Sequence, residues 1–146
     1  VLPPLRSSSD RHALRQAVQE GVVQAISSHH QPHEQEAKRV PFAASATGIS
    51  SIEVLLPLAM TLVADGLLEL PALLSRLTSG PASALGLPAG HLALGAHADV
   101  TLFDPVEASL VGHNWISKGA NCPFIGKGVP CKVTHTICNG KLVYKA

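Results

Sequence analysis

Charge of either sign is scarce: 11 Lys and Arg stand against 10 Asp and Glu in 146 residues, a net of +1. So even a balance leaves no basic footprint for a nucleic acid and no polybasic face for a membrane surface. Aromatic residues make up only 3%, too few to build platforms on which bases stack. The three cysteines, Cys122, Cys131 and Cys138, are odd in number and lack a CxxC spacing. Reduced thiols in a cytoplasmic protein are expected, not a disulfide frame or a zinc knuckle. No apolar run approaches the ~18–20 residues of a membrane span; the longest, Val54 to Val63, carries Pro57 and is too short. No signal-peptide pattern is visible. The opening Val1-Leu2-Pro3-Pro4-Leu5-Arg6 has no initiator Met and reads as mid-domain sequence, so a piece of a larger chain is expected.

What is present is apolar residue, 46% of the chain, enough to fill a core. Ser7-Ser8-Ser9-Asp10 is a helix start, with hydroxyls to accept from free N–H groups and an acid that suits the dipole. Leu14, Ala17 and Val18 share a face of that helix, and Gly21 stops it. Residues 22–27 then read as a buried strand, followed by a polar loop from 28 to 48. Ser50-Ser51-Ile52-Glu53 has the capping-box pattern and predicts a helix over about 51–64, bent or begun at Pro57. Pro71 opens another helix to about Ser79, and Gly80-Pro81 sets off a short turn to Leu85. Residues 1–86 thus read as closing helix and strand units of an α/β layer.

After Gly86-Leu87-Pro88 the texture becomes β-rich. Strands are expected at 91–95, 98–104, 132–138 and 141–144, with Asn139-Gly140 the strongest hairpin signal in the chain. Residues 87–146 are expected to form a small β unit with a longer loop at 105–130.

The densest cluster of chemistry-bearing side chains is Ser28-His29-His30-Gln31-Pro32-His33, directly after the apolar run. Polar groups at the C-terminal end of a buried strand are where barrel enzymes place their reactions. Taken alone, the three histidines suit a metal site, but the plainer reading is a His-rich surface loop. Glu34 and Glu36 precede Lys38-Arg39 and read as a solvated stretch rather than an acid–base pair. Arg6 reads as a partner for Asp10. Asp99 and Asp104 read as turn and edge residues of the β unit, and His91, His97, His113 and His135 as scattered. Trp115 is either a local core anchor or an interface residue.

These segments resemble, in colinear order, the C-terminal half of bacterial dihydroorotases. The resemblance rests on Pro3-Pro4-Leu5-Arg6, Asp10-Arg11, His30, Pro32-His33, Gly48-Ile49, Glu53, Leu56-Pro57-Leu58-Ala59 and Pro81-Ala82 with Leu85-Gly86-Leu87. It continues through Gly95, Ala98-Asp99, Thr101 and Phe103-Asp104-Pro105. Ser117-Lys118-Gly119, Asn121, Pro123-Phe124, Gly126, Asn139-Gly140-Lys141 and Val143-Tyr144 complete it. It implies an α/β fold: the C-terminal portion of a metal-dependent-hydrolase (β/α)8 barrel (1–86), then the last strands of an accompanying β domain (87–146).

The same resemblance marks three departures. The family loop reads Asp-His-Ala-Pro-His, its Asp serving as metal ligand and proton carrier; here that place holds His29. Leu2 stands where an Asn contacts the pyrimidine ring, and Ser51 where Pro-Gly-Ile-x-Gly has its last glycine. His33 and Gly48 match substrate-contacting positions, so Leu2, His33 and Gly48 form a vestigial substrate site, with no catalytic residue and no metal ligand. The resemblance implies a noncatalytic dihydroorotase-like subunit that assembles with aspartate carbamoyltransferase catalytic chains, itself a homo-oligomer, with no cofactor in this stretch and no nucleic-acid or membrane partner. The alternative is an active zinc-dependent cyclic amidohydrolase with His29 replacing Asp. A free-standing small binding module is a third class, resting on chain length alone.

Overall fold

The computed structural model describes residues 1–112 and 115–146. Its helical stretch begins with α1 (Ser8–Gln19), held by a capping box: the Asp10 N–H donates to Ser7 Oγ and the Ser7 N–H to the Asp10 carboxylate, 3.3 and 3.0 Å. These bonds hold the Asp10 carboxyl below its ordinary pKa. That carboxylate therefore serves the cap, and Arg6 forms no ion pair with it. Of the expected apolar face only Val18 packs on the core; Leu14 is 63% exposed.

Residues 22–27 do not join a ladder among the described residues. The physical reason is the lack of a neighbour: beyond this stretch the sole parallel pairing is a single bridge between His30 and Ile49. The segment is anchored instead by the Ile26 N–H donating to the Arg76 carbonyl, 2.9 Å. The expected helix over 51–64 is broken into a 3-10 turn (Ile52–Val54), α2 (Leu55–Ala59) and α3 (Thr61–Ala64). Pro57 lies in the first turn of α2, where its missing N–H costs least. Then come α4 (Leu70–Leu77), with Pro71 in its first turn, and α5 (Ser79–Ala84).

The β-rich stretch holds β1 (Val100–Asp104), β2 (Ser109–Leu110), β3 (Gly128–Val129), β4 (Lys132–Cys138) and β5 (Lys141–Lys145). β1, β4 and β5 form an antiparallel sheet in the order β1-β4-β5, and β2 pairs with β3. Residues 91–95 are irregular and end in a turn instead of forming a strand, and the 105–130 loop holds the β2–β3 ladder. The hairpin is as expected: Cys138 pairs with Lys141, and Asn139 and Gly140 carry φ of 48° and 75°, the two positive values a type I′ turn requires. Asp99 accepts from the Asn139 N–H at 2.7 Å, and Asp104 from Val106 and Glu107, both 2.9 Å. Both are thus turn residues of the sheet.

Two apolar clusters hold the chain together, and each draws on both sides of residue 87. One contains Ala59, Met60, Leu68, Leu73 and Cys131, with Ile26 and Phe103 against it. The other contains Val54, Val111 and Val129, with Trp115 and Phe124 against it. Trp115 is therefore a core anchor, its indole N–H donating to the Gly119 carbonyl at 2.9 Å. His113 lies outside the described residues.

Burial pushes the Cys131 thiol up from 9.0 to about 11, because the apolar cluster disfavours the thiolate. A raised pKa stabilises the native state fully below pH 9.0 and loses that contribution as pH climbs toward about 11. Urea unfolding of the intact protein at either end of that window is expected to show the drop, and Cys131→Ala to abolish that part of it. A thiol reagent at neutral pH is expected to label the exposed Cys138 and to spare Cys131 until unfolding.

Candidate functional site

The histidine loop is built on the end of the 22–27 segment. His29, which stands where the resemblance places a catalytic Asp, is exposed and has φ of +45°. That left-handed conformation is one that Asn, Asp and His tolerate better than other side chains do. His30 turns inward, and its ring Nδ1 accepts from the backbone N–H groups of Ser51 and Ile52, 2.9 and 3.1 Å. The imidazole therefore caps the 3-10 turn that Ser50-Ser51-Ile52-Glu53 was expected to cap by itself. With Nδ1 an acceptor, the ring hydrogen sits on Nε2.

Neither member of the expected Ser50–Glu53 capping box acts locally: Ser50 Oγ meets Ser117 Oγ at 3.3 Å. Ser51 Oγ donates to the Ser28 carbonyl at 2.6 Å, closing the mouth of the loop. Glu53 reaches instead to the β-rich stretch, accepting from Ile116 at 3.1 Å and from Ser117 at 2.6 Å. The family match of Glu53 thus marks a tether between the two stretches.

His33 is held on three sides. Its backbone N–H donates to Asn121 Oδ1 (2.8 Å), its carbonyl accepts from Ala120 (2.8 Å), and its ring Nε2 meets the Thr47 carbonyl (2.9 Å). A carbonyl only accepts, so Nε2 carries the hydrogen. Gly48 is buried with φ of +106°, and a side chain there would collide with Gln31. Leu2 is 59% exposed and joins none of these bonds. The structure therefore ties His30, His33 and Gly48 into one hydrogen-bonded network, which Leu2 does not join. Asn121 was seen in the sequence only as part of a motif, yet its carboxamide also donates to the carbonyls of Gln31 and Gly48, 3.0 and 3.2 Å. Glu34 and Glu36 are exposed, as expected of a solvated loop, and Lys38 closes that loop by donating to the Ala46 carbonyl.

A cleft of about 1050 Å³ lies elsewhere, between α2, α4 and the sheet, and contains none of His29, His30 or His33. Among the described residues no three His, Cys, Asp or Glu side chains converge as metal ligands. His30 Nδ1 and His33 Nε2 are committed to protein atoms. A zinc centre of the kind the resemblance implies for active relatives does not fit the donors of this stretch taken by themselves. No helix among the described residues is long and apolar enough to cross a membrane.

Residues 2–143 match the Amidohydrolase family, and the chain belongs to it. Within that family its relatives are dihydroorotase-like. It is 60% identical over 145 residues, 99% of the chain, to a dihydroorotase-like protein of Pseudomonas aeruginosa. To a dihydroorotase of Syntrophus aciditrophicus it is 42% identical over 146 residues, again 99%. It spans 34% of the length of each. Among solved structures it is similar to a D-hydantoinase, with a TM-score of 0.87 at 22% identity, covering 99% of this chain and 33% of that one. It is also similar to the inactive dihydroorotase-like domain of a Chaetomium thermophilum CAD-like multifunctional protein. There the TM-score is 0.66 at 24% identity, over 94% of this chain and 36% of that one. At such identities the likeness speaks for the fold.

Because His29 is exposed, its substitution tests the backbone alone. His29→Asn and His29→Asp are expected to leave the thermal midpoint of the intact protein nearly unchanged. His29→Val should lower stability by ~1–2 kcal/mol, the cost of a left-handed residue with a branched Cβ. His30→Ala, which removes the cap, is expected to cost about 0.5–2 kcal/mol, read by the same melts.

Proposed function

We propose that these residues belong to a catalytically inactive dihydroorotase homologue that serves as a structural or assembly subunit for aspartate carbamoyltransferase in pyrimidine biosynthesis. In this reading residues 1–86 supply the last strand and helices of an amidohydrolase barrel and 87–146 the closing strands of its β domain. The protein is cytoplasmic and homo-oligomeric, and its partners are the carbamoyltransferase catalytic chains.

The observation that carries the proposal is the imidazole at position 29. Opening or closing a cyclic amide on a metal centre needs one group that is both an anionic ligand and a proton carrier. A neutral imidazole supplies no negative charge to such a centre, and its ring reaches further than an Asp carboxylate. Loss of a positioned proton-transfer group removes ~10²–10⁴-fold of a rate. Leu2 adds to this, since an alkyl side chain offers no hydrogen bond to a pyrimidine ring. The Pseudomonas relative named dihydroorotase-like stands at 60% identity and the Syntrophus dihydroorotase at 42%, which supports descent from the enzyme with the scaffold kept.

Coexpression of the full-length protein with aspartate carbamoyltransferase is expected to give one co-eluting complex; two separate peaks would overturn the assembly role. Zinc-loaded protein is expected to show no conversion between carbamoyl aspartate and dihydroorotate. Turnover within the ordinary enzyme range of ~1–10³ per second would instead establish an active zinc-dependent cyclic amidohydrolase. A His29→Asp change that leaves activity at zero would show that the site is broken at more than one position.

A further inference from the structure

We propose that Asn121 is the positioning residue of the histidine loop, and that the strap 115–121 carrying it is a latch fixing that loop and the 47–51 loop in one mutual arrangement. The proposal does not depend on whether the protein is active.

The geometry is that of a three-point clamp. One carboxamide uses its oxygen on the His33 N–H and its nitrogen on the carbonyls of Gln31 and Gly48, so a single side chain bridges both loops. Backbone bonds on either side repeat the bridge: Ala120 N–H to the His33 carbonyl and Ser50 N–H to the Asn121 carbonyl, 2.8 and 3.3 Å. The strap is held at its other end by Glu53 through Ile116 and Ser117. It also lies in close contact with the loops. At Gly119, which is buried, a methyl group would sit 2.6 Å from Pro32 Cβ and 2.7 Å from Ser50 Oγ.

The surroundings give these bonds their strength. Ser50 is 0% and Ser51 5% exposed, so water does not compete well there, and hydrogen bonds in such a setting are stronger and more directional. His33 presents its ring according to how its backbone is held, and the clamp fixes both its N–H and, through Ala120, its carbonyl. Asn121 thus acts on the ring through the backbone, without touching it.

The test is amide hydrogen exchange on the full-length protein, read in peptides covering 28–33 and 47–52, with β1, β4 and α4 as internal reference. Asn121→Ala is expected to raise exchange in both loops about tenfold, the loss of roughly one net buried hydrogen bond, and to leave the sheet unchanged. Asn121→Asp keeps the acceptor for His33 but loses the donors to Gln31 and Gly48; 47–52 should open as in Asn121→Ala, and 28–33 should open less. Gly119→Ala wedges the strap off without deleting a hydrogen-bonding side chain. It is expected to reproduce Asn121→Ala, and the double variant to add nothing further. The ¹⁵N signature of the His33 ring should change from a single Nε2–H tautomer to a mixture in Asn121→Ala and Gly119→Ala. Unchanged loops, an effect confined to one loop in Asn121→Ala, or uniform loosening of the whole protein would each overturn the latch.

Discussion

A buried backbone donor or acceptor left without a partner costs about 1–3 kcal/mol, and such groups crowd the place where the helical stretch meets the sheets. Residues 28–33 and 47–51 are loops, so no ladder or helix satisfies their N–H and C=O groups beyond the one bridge between His30 and Ile49. The structure answers with side chains. Asn121 meets three of these groups, the His30 ring two, Ser51 Oγ closes on Ser28, and Glu53 takes the N–H groups of Ile116 and Ser117. Remove these and the two apolar clusters would still bury Leu73 and Val54, but only a few backbone bonds would fix how the loops run.

The same bonds separate the positions of the histidine loop that can change freely from those that cannot. His29 bonds to no part of the network and faces solvent, whereas His30 and His33 are wired into it. Change at 29 therefore leaves the frame untouched as long as the newcomer accepts a left-handed backbone, and histidine does. Change at 30 or 33 would unbind Ser51, Ile52 or Thr47. The two kinds of position, one outside the network and two within it, lie within five residues of one another.

How much of this was legible in the sequence depends on how local the cause is. The helix start at Ser7–Asp10 and the Asn139-Gly140 turn are set by interactions within four residues, and both formed, the first as a capping box. The Ser50–Glu53 box has the same i,i+3 spacing but did not form. Long-range partners outbid it: His30 supplied the acceptor for the turn, and Ile116 and Ser117 drew Glu53 away. The run 22–27 has the composition of a buried strand, yet a strand also needs neighbours, which composition does not supply. At the site, His30, His33 and Gly48 could be picked out from residue type and resemblance, but not the direction in which each ring would point. Asn121, 88 residues from its His33 partner, gave no local signal beyond its place in a motif.

Glu53 and Asn121 belong to opposite stretches, and each reaches across to satisfy backbone of the other. Such reciprocal bonding makes the two stretches interdependent in a way apolar packing alone does not. Side chains in a core can be exchanged for others of similar volume at modest cost, but a carboxamide serving one donor and two acceptors has no equivalent of another shape. Gly119 is constrained for the complementary reason, since only the absence of a side chain lets the strap approach Pro32 and Ser50. The fold needs both of these residues whatever side chain stands at position 29. They hold the surface on which anything docking near the histidine loop would have to rest.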